Sequence, residues 1–296
     1  MLSDELGLQI SINFPKFALT QNPAKVSKTQ LLRSLYHPIQ PSIAPTQQAV
    51  LYHEAFPATP LQEYIYCYWQ LQTQAPLQEP FVYRVVADGC IDLFFDLNQP
   101  AENFVMGFCK NYTEFPLENS FNYVGVRFLP SMFPLLFDVN AAELSNRFED
   151  LGAVLPDTSQ FIASRFDPGL DLAAVKALFD SYFLSCRAKW TPDPDPRLHE
   201  AMALILSTSG ALSIEKDLNI GLSPRQLRRL FEFYIGDTAK TFSQVVRFQQ
   251  VLHAKPSVQS LKQNKLFFDH GYYDQAHFIK AFKNFYGVTP GQAFER

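Results

Sequence analysis

Three prolines alternate with other residues at positions 192, 194 and 196, and this short run divides the chain more sharply than any other feature. Proline lacks a backbone N–H and disfavours helical geometry in the residue before it. Because neither a helix nor a paired strand passes easily through such a run, it predicts a stiff linker at residues 191–197. A chain of 296 residues is long for one core, so a domain is expected on each side.

The two sides of this linker carry opposite net charge. Residues 197–296 contain 13 Lys and Arg against 8 Asp and Glu, whereas residues 1–196 contain 12 against 21. Neutralising phosphates supplies most of the DNA affinity that does not depend on base sequence. A basic segment beside an acidic one is therefore typical of a DNA-binding module attached to a sensor domain.

The composition argues against several other classes of protein. Hydrophobic residues make up 47% and charged residues 18%, which is enough apolar material for buried cores and too little charge for general disorder. The chain has no run of about 18 apolar residues, and acids stand near its start, so neither a membrane span nor a signal peptide is expected. The widely spaced cysteines suggest neither a zinc site nor a disulfide framework, which fits a reducing cytoplasm.

Residues 51–190 are expected to form a sensor and dimerisation domain with an α+β fold, an antiparallel sheet or small barrel with flanking helices. Short runs rich in aromatic and β-branched residues predict its strands, at residues 64–71, 81–87, 91–97, 104–108 and 123–129. Asp88-Gly89, between two of these runs, predicts a hairpin turn. Residues 1–50 are polar and interrupted by prolines, and we interpret them as an N-terminal extension with one apolar patch.

Two features of this domain each have two interpretations. An apolar stripe at helical spacing is expected either to pack on the domain's own sheet, which we favour, or to form a homodimer interface; it consists of Leu172, Val175, Phe179, Tyr182 and Cys186. Charged residues embedded in strand-like segments either form a structural network, which we favour, or serve as the polar groups of a small-molecule effector pocket. These are Asp88, Asp92 and Arg127.

After the linker no strand-like run remains, and residues 198–296 predict an all-α domain. Gly221 ends a short helix, Ser223 is placed to cap the next one, and Pro224 stands at its first position. This is the pattern of a helix-turn-helix unit. The second helix has apolar residues at i, i+3, i+4 and i+7, so its other face is exposed and carries Arg225, Gln226, Arg228 and Arg229.

A second unit of the same kind is expected near the end of the chain. Gly271 makes its turn and Asp274 caps its second helix, whose buried face includes Phe278 and Phe282. The residues expected to reach DNA are Gln275, Ala276, His277 and Lys280. Arginine pairs bidentately with guanine and glutamine with adenine in the major groove, so the first helix should contribute more to base recognition. Arg247, between the units, either contacts a phosphate or ties the two halves together.

Six segments of this domain occur in a fixed order: SPRQLRRLF at 223–231, YIG at 234–236, RFQ at 247–249, GYYDQAHF at 271–278, FK at 282–283 and GVTP at 287–290. In this order and spacing they resemble the signature of AraC/XylS-type transcription regulators. The resemblance implies a double helix-turn-helix whose two second helices enter successive major-groove segments of promoter or operator DNA. It departs from the family at Ala239, where proline is usual, and at Phe267, where alanine is usual.

The N-terminal domain also shows a resemblance. Residues 63–71, 84–97, 105–107 and 124–130 resemble an uncharacterised sensor-type domain that is often fused to this DNA-binding module. The two resemblances together imply a sequence-specific DNA-binding regulator, with a small-molecule effector and a homodimer as further expectations. An activator would also contact RNA polymerase.

Enzymes and pure interaction proteins are the alternatives. None of the usual nucleophile, metal or phosphate-loop motifs is present, so neither catalysis nor a cofactor is expected. A methyl-accepting role for Cys90, as in DNA-repair proteins with similar DNA modules, would need a basic or zinc-bound setting that its sequence neighbours do not supply. A protein that acts only through partner contacts would not need the arginine-rich face.

Overall fold

The computed structural model describes residues 28–40, 49–190, 195–256 and 271–294. The strands of the N-terminal domain are β1 (Val50–Ala55), β2 (Ile65–Thr73), β3 (Phe81–Val85), β4 (Ile91–Asp96), β5 (Asn103–Met106), β6 (Thr113–Leu117), β7 (Asn122–Phe128) and β8 (Phe148–Asp150). Six of them form an antiparallel sheet in the order β1-β2-β7-β4-β5-β8, while β3 and β6 form a separate ladder. The predicted antiparallel sheet is confirmed. Among the described residues β1 and β8 do not pair with each other, so the sheet does not close into a barrel.

The turn at Asp88-Gly89 does not form the hairpin predicted for it. β3 pairs with β6, whereas β4 pairs with β7 on one side and β5 on the other. Gly89 has the expected positive φ of 74°, but its turn leads the chain from one sheet to the other. Turn residues determine the local backbone angles, but they do not determine which strand pairs with which. Three strands, β1, β6 and β8, were not predicted. Of these, β1 and β8 are the edges of the large sheet, where polar residues are tolerated.

Helices cover the large sheet. They are α2 (Met132–Phe137), α3 (Leu151–Val154), α4 (Pro156–Arg165) and α5 (Leu172–Arg187). On α5, Val175, Phe179 and Phe183 are buried. The Phe179 ring stacks on that of Tyr68 in β2, with 5.3 Å between centroids, and meets Phe95 in β4 at 6.3 Å. The apolar stripe therefore packs on the domain's own sheet, and a homodimer interface stays a prediction.

All regular secondary structure among the described residues of the C-terminal domain is helical. Its helices are α6 (Pro196–Ser207), α7 (Ile214–Asp217), α8 (Pro224–Tyr234), α9 (Ala239–Ala254), α10 (Gln275–Tyr286) and α11 (Pro290–Phe294). α6 begins inside the predicted linker, because Asp195 caps it by accepting a hydrogen bond from Arg197 N at 3.0 Å. Pro196 fits there since the first turn needs no N–H at that position. Residues 191–194 lie outside the described residues.

The segment interpreted as an N-terminal extension contributes to the core. α1 (Lys28–Leu35) packs against α6, and Leu32 and Tyr36 are 1% and 2% exposed. Arg33 Nη1 donates to the carbonyls of Gln62 and Ile65 at 3.0 and 2.9 Å, which fixes α1 to the sheet domain. The extension, of which residues 1–27 and 41–48 are outside the described part, thus includes a connection between the two domains. Its sparse apolar pattern had hidden this role.

Two further properties concern the whole described chain. No helix among the described residues is long and apolar enough to cross a bilayer. The same residues contain no group of three or more His, Cys, Asp or Glu side chains placed to hold a metal ion.

Candidate DNA-binding site

The first turn of α8 is held by a reciprocal cap. Ser223 Oγ accepts a hydrogen bond from Gln226 N at 3.3 Å, and Gln226 Oε1 accepts from Ser223 N at 3.0 Å. Pro224 occupies the first helical position, and Gly221 takes a positive φ of 70° in the turn that follows α7. This arrangement satisfies backbone donors that a helix start otherwise leaves free. The helix-turn-helix predicted from these residues is present.

α8 separates a buried side from a basic exposed side. Leu227 and Phe231 are buried, and the Phe231 ring lies 6.1 Å from that of Phe242 in α9. Arg225 and Arg229 lie on the exposed side, and neither forms an ion pair within the part of the chain that the structure describes. Their guanidinium groups are therefore available to a ligand.

The two other predicted residues of α8 are already engaged. Arg228 Nε donates to Glu232 Oε1 at 2.7 Å, one helical turn away, and this hydrogen bond raises the pKa of Arg228. Gln226 Oε1 also accepts from the Ser223 hydroxyl at 2.9 Å. A glutamine amide reads adenine through its oxygen and its nitrogen together. While the cap is intact, Gln226 cannot make that pair, a competition that helical periodicity does not reveal.

α10 presents the second predicted set. Asp274 caps it by accepting from His277 N at 2.7 Å, and Gly287, with a φ of 96°, ends it. Phe278 and Phe282 are buried against the rest of the domain. All four predicted contact residues are exposed: Gln275, Ala276, His277 and Lys280. The first helix predicted for this unit, together with Phe267, lies outside the described residues.

Arg247 of α9 ties the two halves of the domain together. Its Nη2 and Nε donate to the carbonyl of Gly210 at 2.6 and 3.1 Å, and its Nη1 donates to that of Gly271 at 2.8 Å. The guanidinium lies 5.4 Å from the centroid of the Tyr272 ring. Burial lowers the pKa of Arg247. Of its two interpretations, the structural one therefore describes the observed contacts.

The N-terminal domain lies beside one flank of α8. Gln226 and Arg229 line a cleft of about 590 Å³ whose other wall includes Asn140 and Ala142. Ser145 Oγ, also in the N-terminal domain, donates to the carbonyl of Gly236, just past the end of α8. The first set of predicted contact residues therefore borders the domain interface, a position that the sequence did not indicate.

The three charged residues predicted in the strands form one buried cluster. Arg127 is 3% exposed. Its Nη2 lies 2.9 Å from Asp92 Oδ2, and its Nε lies 3.3 Å from Asp88 Oδ2. Trp69 Nε1 also donates to Asp92 Oδ2, at 3.0 Å. Burial, with repulsion from Asp88, raises the pKa of Asp92 to about 6 against the attraction of Arg127.

A small cavity of about 70 Å³ lies next to this cluster. Asp92 and Arg127 are its charged wall residues, and the others are mostly aromatic, among them Trp69, Tyr83 and Phe94. Arg127 Nη1 has no hydrogen-bond partner among the described residues and lies 3.8 Å from Glu54 Oε1. Asp88 pairs with Arg127 but does not line the cavity. A buried donor without a partner beside an apolar space is a place where a small ligand could gain a hydrogen bond.

Cys90 does not have the surroundings of a reactive thiol. It is a buried free cysteine, and burial, with Asp88 nearby, raises its pKa well above the ordinary value. Reactive cysteines have a lowered pKa, because the thiolate is the nucleophile. The methyl-acceptor alternative therefore gains no support from this site.

Comparisons with known families match both domains. A family model described as a helix-turn-helix domain matches residues 219–296, and one described as a domain of unknown function (DUF6597) matches residues 53–150. These matches confirm the two resemblances inferred from the motifs. No curated protein sequence matches the chain.

Among solved structures, the chain is similar to crystal structures of ToxT from Vibrio cholerae. An apo form of a ToxT variant from strain SCE256 has a TM-score of 0.42 and 12% sequence identity, covering 83% of this chain and 97% of that chain. ToxT from strain O395 has a TM-score of 0.41 and 12% identity, covering 84% of this chain and 98% of that chain.

Proposed function

We propose that this chain, a DNA-binding regulator of the AraC type, is a cytoplasmic transcription regulator that recognises a specific promoter or operator sequence. The observation that carries the proposal is the exposure of Arg225 and Arg229. Both stand exposed on a well-capped helix and are unpaired among the described residues. A planar guanidinium fork can donate two hydrogen bonds to the O6 and N7 atoms of guanine, which distinguishes that base in the major groove.

The second helix adds a different kind of contact. Lys280 is a point charge suited to phosphate, and Gln275 and His277 stand at the exposed start of α10, where a recognition helix meets base edges. Ala276 offers a methyl group for apolar contact. We infer that α8 contributes most of the base selectivity and that α10 makes fewer base contacts, through Gln275 and His277, and more phosphate and shape contacts.

A response to a small molecule is the second part of the proposal. Asp92 and Arg127 provide charged groups in a cavity whose other wall residues are mostly aromatic, and Asp88, outside the cavity wall, pairs with Arg127. The cavity is about half the size of an engineered 150 Å³ cavity known to hold benzene. An effector of more than a few atoms would therefore displace side chains, which makes the cluster sensitive to occupancy.

Further partners follow from this role. An activator would contact RNA polymerase at the promoter. Dimerisation through residues 171–190 would let two chains occupy neighbouring half-sites, and sedimentation of the purified protein tests it. A monomer at tens of micromolar would remove that part of the proposal.

DNA binding is tested with a random pool of duplexes and purified full-length protein. After selection, the enriched duplex and an unselected one are compared by mobility shift over a salt series. We expect enrichment of one motif and affinity that falls steeply as salt rises, because bound cations are released on complex formation.

The matched control removes equal charge elsewhere. A protein with Arg225→Ala and Arg229→Ala should lose the selected duplex, whereas one with Arg147→Ala and Arg165→Ala, both exposed on the N-terminal domain and outside residues 171–190, should bind like the unmodified chain. Absence of any salt-dependent binding would instead favour a protein that acts only through partner contacts.

A further inference from the structure

The loop of residues 86–90 joins β3 to β4 and has one side in the buried charged cluster. Asp88 Oδ2 lies 3.3 Å from Arg127 Nε, and Asp88 Oδ1 accepts a hydrogen bond from Cys90 N at 3.0 Å. The carboxylate thus connects the shape of the loop to the position of Arg127. Arg127 in turn is a wall of the cavity.

The other side of the same loop touches the C-terminal domain at three places. The carbonyl of Ala87 accepts from Gln249 Nε2 in α9 at 2.8 Å, and its N–H donates to the carbonyl of Phe285 in α10 at 3.4 Å. Gly89 lies so close to α9 that a Cβ built on it would stand 3.1 Å from the ring of Phe242. The loop therefore fits between the cluster and two helices of the DNA-binding domain.

These contacts lead to both recognition helices. Phe242 meets Phe231, the buried anchor of α8, with 6.1 Å between ring centroids. Phe285 belongs to α10 itself, where its ring is buried and lies 5.3 Å from that of Phe248. A shift of the loop would therefore bear on the packing under α8 and on the backbone of α10.

Residues 36–40 close this junction from outside. Tyr36 donates from its hydroxyl to the carbonyl of Asp88. Gln40 Nε2 donates to Asp88 Oδ2 at 2.7 Å, and Ile39 N donates to Gln249 Oε1 at 2.7 Å. Because buried polar groups that lose their partners are costly, Asp88 and Gln249 cannot move independently without breaking this set.

We propose that the loop of residues 86–90 couples the Arg127 cluster to both recognition helices. A ligand in the cavity then changes the affinity for DNA, and bound DNA changes the affinity for that ligand. The inference rests on the proposed function as a DNA-binding regulator. Coupling between two binding sites is reciprocal, so DNA must perturb the cluster just as a cavity ligand perturbs DNA binding. This coupling through the loop of residues 86–90, called the relay below, can therefore be tested with DNA as the probe, before any effector is known.

Trp69 is the reporter. Its indole donates to Asp92 in the cluster. The chain contains two tryptophans, so the Trp190→Phe protein has Trp69 as its single tryptophan. The Trp190→Phe protein is titrated with a duplex carrying a fluorescent end label. DNA binding is followed by anisotropy of the label, and the cluster by tryptophan emission in the same samples. We expect the emission to change with the same midpoint as the anisotropy.

Two variants interrupt the relay from opposite ends. Asp88→Asn removes the charge that holds Arg127, and Gln249→Leu removes the hydrogen bonds to Ala87 and Ile39. Each should abolish most of the emission change while the anisotropy still reports binding. Asp96→Asn is the matched control for Asp88→Asn, because Asp96 lies at the far end of β4, the strand that follows the loop, and accepts a hydrogen bond from Asn98 N outside the cluster. It should keep the full change. Near-ultraviolet circular dichroism verifies that each variant is folded.

The outcomes separate the two proposals. Anisotropy that rises without any change in Trp69 emission overturns the relay and leaves the proposed function standing. An emission change that persists in both folded variants also overturns the relay, since it would then run by another route. Anisotropy that stays flat at low salt overturns the proposed function and the relay with it.

Discussion

The two recognition helices share a design and differ in how their polar side chains are used. In α8 the arginines dominate, and two of the four predicted contact residues, Gln226 and Arg228, are bound within the helix. In α10 the cap needs only Asp274, and Gln275 stands free of it at the first position. Polar side chains in the first turn can therefore serve stability in one helix and remain available to DNA in the other.

The buried sides of the two helices differ as well. Within the described part of the chain, Phe231 of α8 has one ring neighbour, Phe242, whereas Phe282 of α10 meets several, including Phe248 at 5.4 Å and the stacked Tyr286 at 5.2 Å. Both are fully buried. The difference suggests that α10 relies on its aromatic core for stability and α8 relies more on its cap.

Truncating the two anchors is the largest expected perturbation of this comparison. Phe231→Ala and Phe282→Ala should each lower the free energy of unfolding by about 3–5 kcal/mol, with Phe282→Ala nearer the upper end because it removes more ring contacts. Urea unfolding followed by circular dichroism measures both. Ile279→Ala, on the exposed side of α10, is the control and should stay within about 0.5 kcal/mol. A larger loss for Phe231→Ala would reverse the proposed division between core and cap.

Much of this comparison could be predicted from the sequence because its signals are local. A cap residue with proline after it, glycine at a positive φ and apolar residues at helical spacing all act within a few positions. They placed the starts of α8 and α10, the buried side of each, and the exposed positions of Arg225, Arg229 and Lys280. The texture of aromatic and β-branched runs likewise predicted most strands of the large sheet.

What the sequence could not supply depends on contacts between distant residues. Nothing near Gly89 indicates that β3 pairs with β6, or that Gly89 itself lies against Phe242, more than a hundred positions later in the chain. The role of Tyr36 was hidden for the same reason, since a short apolar patch in a polar segment does not name its partner. The competition for the Gln226 amide involves only neighbouring residues, but the position of Gln226 in the helix is consistent with both capping the helix and contacting DNA, so the sequence did not decide between them.

Removing one cation from each helix tests the proposed division in DNA recognition. Arg229→Ala should weaken binding to the selected duplex by about 1–3 kcal/mol and relax base preference at its contact, because it removes a bidentate pair. Lys280→Ala should weaken binding to all duplexes alike and reduce the slope of log affinity against log salt by about 1. Mobility shifts with the selected and unselected duplexes over a salt series measure both effects. Equal loss of base preference in the two variants would contradict the division of roles.

The two glutamines give the smallest and most selective test. Gln226→Ala removes the acceptor for Ser223 N and should lower the free energy of unfolding by about 0.5–1 kcal/mol, with base preference unchanged because the amide is already held in the cap. Gln275→Ala, at the exposed first position of α10, should do the reverse, leaving stability within about 0.5 kcal/mol and weakening the selected duplex. Urea unfolding and motif selection on the same two proteins separate the effects. If Gln226→Ala altered the selected motif while stability held, the amide would have to leave its cap on DNA, and the two helices would read bases in the same way.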